Sequence, residues 1–182
     1  SHEGAQMARQ HGVVQVSVNH RLNVLGFLDV SEIGGPDYAE SANVGMTDLV
    51  AALRWIKENI ANFGGDPDRV MIYGQSGGGS KVTCLMGMPS AKGLFHRAAV
   101  QSGGGGNFAD AEQSRALARQ LMVELGLKPN DIAALQQVDW PKLYAAGQAA
   151  IGKVNSSLPP GPFFGPGAIR RAGWESPPAF VW

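Results

Sequence analysis

The chain has 182 residues, with 15 Lys plus Arg against 15 Asp plus Glu, so its formal net charge is zero. That balance excludes a nucleic-acid binder that works through a basic surface. Charged residues make up 16% and hydrophobic ones 44%, which excludes a disordered tail and is enough for a sizeable core.

Glycine is the outlier at 25 residues, about twice the ~7% average. It falls in runs, at Gly64-Gly65, Gly77 to Gly79 and Gly103 to Gly106, which mark tight turns and close backbone approach. The one cysteine, Cys84, excludes an internal disulfide framework. No apolar run approaches the ~18 residues of a membrane-spanning helix.

In chain order, GVVQVSVN over Gly12 to Asn19 predicts a strand, with valines at 13, 14, 16 and 18. Residues 29–43 read as a loop. A helix is predicted from Val44 to Asn62, where Met46, Leu49, Val50, Leu53, Ile56 and Ile60 form one stripe at helical spacing. Gly64-Gly65-Asp66-Pro67 stops it. Arg69 to Tyr73, RVMIY, reads as a buried strand of a parallel sheet. A buried helix to Met88 follows, with Cys84, Met86 and Met88 as packing residues. Ala98 to Gln101 is a further strand, and helices are predicted over 110–125, 131–137 and 141–154. Residues 158–182 carry six prolines, at 159, 160, 162, 166, 177 and 178, and read as loop. Strands alternating with helices indicate an α/β protein with a mostly parallel sheet.

The sharpest local signal is Gly74-x-Ser76-x-Gly78, set between a strand and a helix. This is the nucleophile-elbow pattern in its expected context. A serine in so sharp a turn is held in a strained backbone conformation, and the residues two positions away must be very small. The turn lifts the hydroxyl above the sheet. It also leaves backbone N–H groups at the helix start, where an oxyanion would form. Ser76 is therefore the candidate nucleophile, and the Gly77 N–H a candidate oxyanion donor. A rival reading takes GQSGGGSK as a phosphate-binding loop. It fails on spacing, because Ser80 precedes Lys81 and Val82 stands where a metal-binding hydroxyl is needed.

Three blocks, VSVNHRLNVLGFL (16–28), NVGMTDLVAALRWIKENIANFGGDPDRVMIYGQSGGG (43–79) and GLFHRAAVQSG (93–103), resemble the type-B carboxylesterases, the carboxylesterase and cholinesterase family. The resemblance covers about residues 5–125. It implies an α/β-hydrolase fold, incomplete here, with residues 1–157 as the central part of that domain and 158–182 an unassigned tail. It also implies serine-dependent hydrolysis of a small-molecule carboxylic ester through an acyl-serine intermediate, with Ser76 as nucleophile. Gln75 departs from the Glu common beside that serine. By the resemblance, the catalytic acid and histidine correspond to positions beyond Trp182, and the His-Gly-Gly-Gly half of the oxyanion hole to positions before Ser1. A chain lacking them would be nearly inactive alone, and a sheet missing neighbours would expose its edges.

His96 is the only histidine after Ser76; it sits in the GLFHRAAV block and reads as structural. Asp131 and Asp139 read as helix starts. Phe108 and its neighbour Asn107 follow the third strand and could line an acyl pocket, although the same run also reads as a surface loop. No His, Cys or Asp cluster has metal-ligand spacing, and this chemistry needs no cofactor. Oligomeric state is left open. The alternative from another class is a catalytically incompetent, cholinesterase-like interaction domain, which has no need of the strained turn.

Overall fold

The computed structural model describes residues 4–103, 111–157 and 179–181. They gather into two compact units, one of residues 4–20, 46–103 and 179–181, the other of 21–45 and 111–157.

The first unit carries the sheet. Helix α1 (Gly4–His11) leads to strand β1 (Gln15–Ser17). Helix α4 (Val44–Asn59) runs into a 3₁₀ turn at Ile60–Phe63 and precedes β2 (Met71–Gln75). Helix α5 (Gly77–Gly87) follows, then β3 (Arg97–Gln101), with β4 (Ala179–Val181) last. The sheet order is β1-β4-β2-β3. β2 and β3 are parallel, from Met71 opposite Arg97 to Gln75 opposite Gln101. β4 lies antiparallel to both β1 and β2, so β1 and β2 run the same way. The expected helical stripe is the core: Leu49, Leu53 and Ile56 are fully buried, and Met46, Val50 and Ile60 nearly so. Ile72 and Val70 from the β2 segment and Val82 and Leu85 from α5 complete it. Backbone bonds from Gly64 to Ala61 and from Gly65 to Ile60 close the end of the long helix where the glycine pair predicts a stop.

The second unit is helical. It holds the short helices α2 (Asn23–Gly26) and α3 (Ser31–Gly34), then α6 (Ala111–Leu125), α7 (Ile132–Gln136) and α8 (Trp140–Ser157). α6 packs on α8, burying Leu117, Ala118, Leu121 and Met122 on one side and Ala146, Ala150 and Ile151 on the other. α2 also packs on α8, with Val24 so close that a Cβ on Gly147 would lie 2.8 Å from its Cγ1. The Asp131 carboxylate accepts from the Ala134 N–H at 2.9 Å and caps α7, as its position predicts.

Four expectations need correction. β1 is three residues long rather than eight, because its only partner among the described residues is the three-residue β4. The segment 29–43 is not plain loop but holds α3 and 3₁₀ turns at Pro36–Tyr38 and Ser41–Asn43. Met86 is 53% exposed. The buried stripe of α5 runs through Gly78, Val82 and Leu85, and Met86 lies a further ~100° round the helix. Finally, 179–181 form a strand; the proline pair that precedes this segment in sequence masks its strand-forming Phe180-Val181. Phe108 and Asn107 lie outside the described residues.

Candidate active site

Ser76 stands between the end of β2 and the first residue of α5. Its backbone is at φ 54°, ψ −119°, a region that β-carbon sterics make costly for any residue but glycine. What holds it there is visible on three sides. The Ser76 N–H donates to the Gln101 carbonyl at 2.8 Å, which ties the turn to the end of β3. The Ser76 carbonyl accepts from the Ser80 N–H at 3.0 Å, the first bond of the helix. Glycine permits the close passage of the surrounding chain. A Cβ on Gly74 would fall 2.4 Å from the Gly78 carbonyl carbon, and one on Gly103 would fall 2.3 Å from the Ser76 oxygen. Gly74 and Gly78, the flanking glycines of the sequence pattern, are thus packed against each other. Ser76 itself is half-buried, while Gly77, Gly78 and Gly79 are buried.

Side chains one turn along α5 return donors to the glycine turn. Ser80 Oγ lies 3.1 Å from the Gly103 carbonyl and 3.5 Å from that of Ser76. Lys81 Nζ lies 3.4 Å from the Gly77 carbonyl, and Thr83 Oγ1 3.1 Å from that of Gly79. Lys81 is completely buried. Burial pulls its ammonium down to about 8, a shift that the neighbouring Cys84 opposes. Burial also pushes the Cys84 thiol up, against the pull of Lys81. His20, just past β1, is lowered to about 4, first by burial and then by the Lys81 charge, with Asp48 and the Val18 backbone opposing. It is neutral at pH 7. Neither the buried lysine nor His20 was singled out as part of this region from sequence. A lysine five residues after the serine in an otherwise uncharged helix is the signal that could have found it.

The other described histidines, His11 and His96, lie at the far end of the strands from the serine. His96 Nδ1 accepts from the Val70 N–H at 3.1 Å, and the His96 backbone N–H donates to the Val70 carbonyl at 2.8 Å. Both contacts sit where β2 and β3 begin, whereas Ser76 follows the end of β2. Five strand residues span roughly 17 Å. His96 is therefore a structural residue. His11 lines a cleft with Arg69, Met71 and Arg97, again at the starting ends of the strands.

A sequence model of the carboxylesterase family matches residues 1–169. The chain belongs to the carboxylesterase family. The match reaches beyond the 5–125 suggested by the motifs. The chain is 37% identical to the para-nitrobenzyl esterase of Bacillus subtilis (strain 168) over 145 residues, 80% of this chain and 29% of that one. It is 48% identical to human carboxylesterase 3 over 103 residues, 57% of this chain and 17% of that one. Among solved structures it resembles a carboxylesterase of Geobacillus stearothermophilus, with a TM-score of 0.71 and 39% identity, covering 85% of this chain and 33% of that one. It also resembles an esterase of Clostridium hathewayi described as able to hydrolyse aliphatic aromatic polyesters, with a TM-score of 0.64 and 46% identity. The chain thus spans about a third or less of the length of these relatives. The α/β architecture expected from the sequence is that of part of an α/β-hydrolase.

Proposed function

We propose that the protein carrying these residues hydrolyses small-molecule carboxylic esters through an acyl-enzyme on Ser76. The observation that carries this reading is the strained backbone of Ser76 at the strand-to-helix turn, braced by Gly74, Gly103 and the end of β3. Backbone strain of this kind concentrates at functional sites, where the surrounding structure holds it in place. Ser76 Oγ attacks the ester carbonyl carbon and gives its proton to a general base. The carbonyl oxygen becomes an oxyanion, to which the Gly77 N–H donates. Collapse expels the alcohol, which takes the proton back from the base. Water then attacks the acyl-serine by the same route in reverse and releases the acid.

The base and its orienting acid come from outside residues 1–182 in this reading. Among the described histidines, His96 and His11 sit at the starting ends of the strands, and His20, lowered to about 4 by burial, is too weak a base. The test is labelling by a fluorophosphonate, which reacts with activated serines. In the whole natural polypeptide the phosphonyl adduct should map to Ser76, and Ser76→Ala should lose both the adduct and ester turnover, by at least about a thousandfold. Turnover that survives Ser76→Ala would sink the reading. A polypeptide that folds but neither turns over esters nor takes the label at Ser76 would instead be a cholinesterase-like interaction domain.

A further inference from the structure

The starting ends of the strands, remote from the serine, hold a cleft of their own. Val13 and Val14 come just before β1, Met71 opens β2, and Arg97 opens β3 directly opposite Met71. With Arg69, in the bend that leads into β2, they line a cavity of about 390 Å³. That size falls in the ~300–1,000 Å³ range of small-molecule sites. All of these residues belong to the first unit. Val13, Val14 and Met71 are half-buried and offer apolar surface, while both arginines are exposed.

The polar groups of the cleft narrow what it can hold. Gly12, Gly64 and Gly65 give it a wall of bare backbone, but their N–H groups already donate to the carbonyls of Ala8, Ala61 and Ile60. Asp66 is the one carboxylate among the described lining residues, and its Oδ1 accepts from the Asp68 N–H at 2.9 Å. Neither guanidinium is hydrogen-bonded or ion-paired to a described residue. The donors left for a ligand are therefore those of Arg69 and Arg97. Two like charges on one cleft repel each other. An oxyanion between them replaces that repulsion with charge-assisted hydrogen bonds, and the planar fork of arginine matches both carboxylate and phosphate oxygens.

We propose that this cleft binds a small organic oxyanion, a phosphate monoester or a carboxylate. Arg69 and Arg97 fork its oxygens, and Val13, Val14 and Met71 meet its apolar body. The site lies a strand's length from Ser76, roughly 17 Å, at the opposite end of β2. It is separate from the proposed ester-cleaving centre and does not depend on the reading of Ser76.

A ligand-observed NMR titration of the whole natural polypeptide with phenyl phosphate, benzoate and benzylamine tests this, because the three share a ring and differ in headgroup. At least one of the two anions should bind with a Kd of about 1 mM or tighter, and benzylamine should not. The tighter of the two anions identifies the headgroup. Affinity should fall about tenfold in each of Arg69→Ala and Arg97→Ala and be lost in the double variant. Arg69→Lys and Arg97→Lys keep the charge without the fork, so their affinity should lie between wild type and alanine. Both positions are exposed, so melting temperatures should stay close to wild type. If an alanine variant fails to fold, the lysine variants decide, since wild-type affinity in both would remove the two forks from the site. The proposal is overturned if the double variant binds as tightly as wild type, if benzylamine binds as well as the anions, or if neither anion binds by about 10 mM.

Discussion

At the scale of single residues, glycines set the geometry of the turn, and not every glycine does the same work. Gly74 has the Gly78 backbone 2.4 Å from where a Cβ would be, and backbone cannot swing aside as a side-chain tip can. Gly152 lies in the interior of α8 with nothing within 4 Å of its Cβ position. The two therefore respond oppositely to one methyl group. Gly74→Ala should destabilise the fold by about 3 kcal/mol or more, since either the turn or the helix must shift. Gly152→Ala should stabilise it by about 0.5–1 kcal/mol, because alanine is the better helix former and meets no contact. Urea unfolding of the two variants checks both signs at once. Equal small effects would show that the turn is far softer than its contacts imply.

At the scale of elements, the long helix and the turn after β2 were legible in the sequence for different reasons. The stripe from Met46 to Ile60 is a strong 3.6-residue period over more than three turns, and the buried residues follow it. The turn was legible because glycine at 74 and 78 is a chemical signature, not a periodicity. What was hidden is short or held from afar. α2 and α3 have four residues each, too few to show a period, and are defined by contacts such as that of Val24 with Gly147. β4 exists because β1 and β2 offer it hydrogen bonds from more than a hundred residues away. Lys81 read as a misplaced phosphate-loop lysine, since its burial depends on packing that no local pattern reports. The Asp131 cap of α7 is the opposite case, a purely local device. Asp131→Ala should cost about 1 kcal/mol, the usual worth of a side-chain cap. Asp131→Asn, which can still accept from the Ala134 N–H, should recover most of that. Thermal melts of the pair distinguish the cap from a general effect of charge, and a melt unchanged in Asp131→Ala would remove the cap from the account.

At the scale of the whole molecule, the described residues form two units, each assembled from stretches distant in the chain. Composition and period report neighbours in sequence, so a unit that joins 21–45 to 111–157 leaves no local mark. The sheet also ends abruptly. Among the described residues β3 has no partner beyond β2, and Arg97, Ala98 and Gln101 on it are exposed. An unpaired strand edge is a template for pairing with another chain, and past Arg97 this one carries no charge to oppose it. The 182 residues expressed alone should therefore self-associate as their concentration rises. A lysine placed on that edge should suppress it, because pairing two copies would bring like charges together in the ladder. Ala98→Lys is the natural choice: the site is exposed, so the fold should tolerate the change with a melting temperature close to that of the parent chain. Sedimentation velocity across a hundredfold range of concentration measures the outcome. Ala98→Lys should stay monomeric where the parent chain forms larger species. A parent chain that remains monomeric throughout would mean that the β3 edge is covered, and residues outside the described set would then be the place to look for its partner.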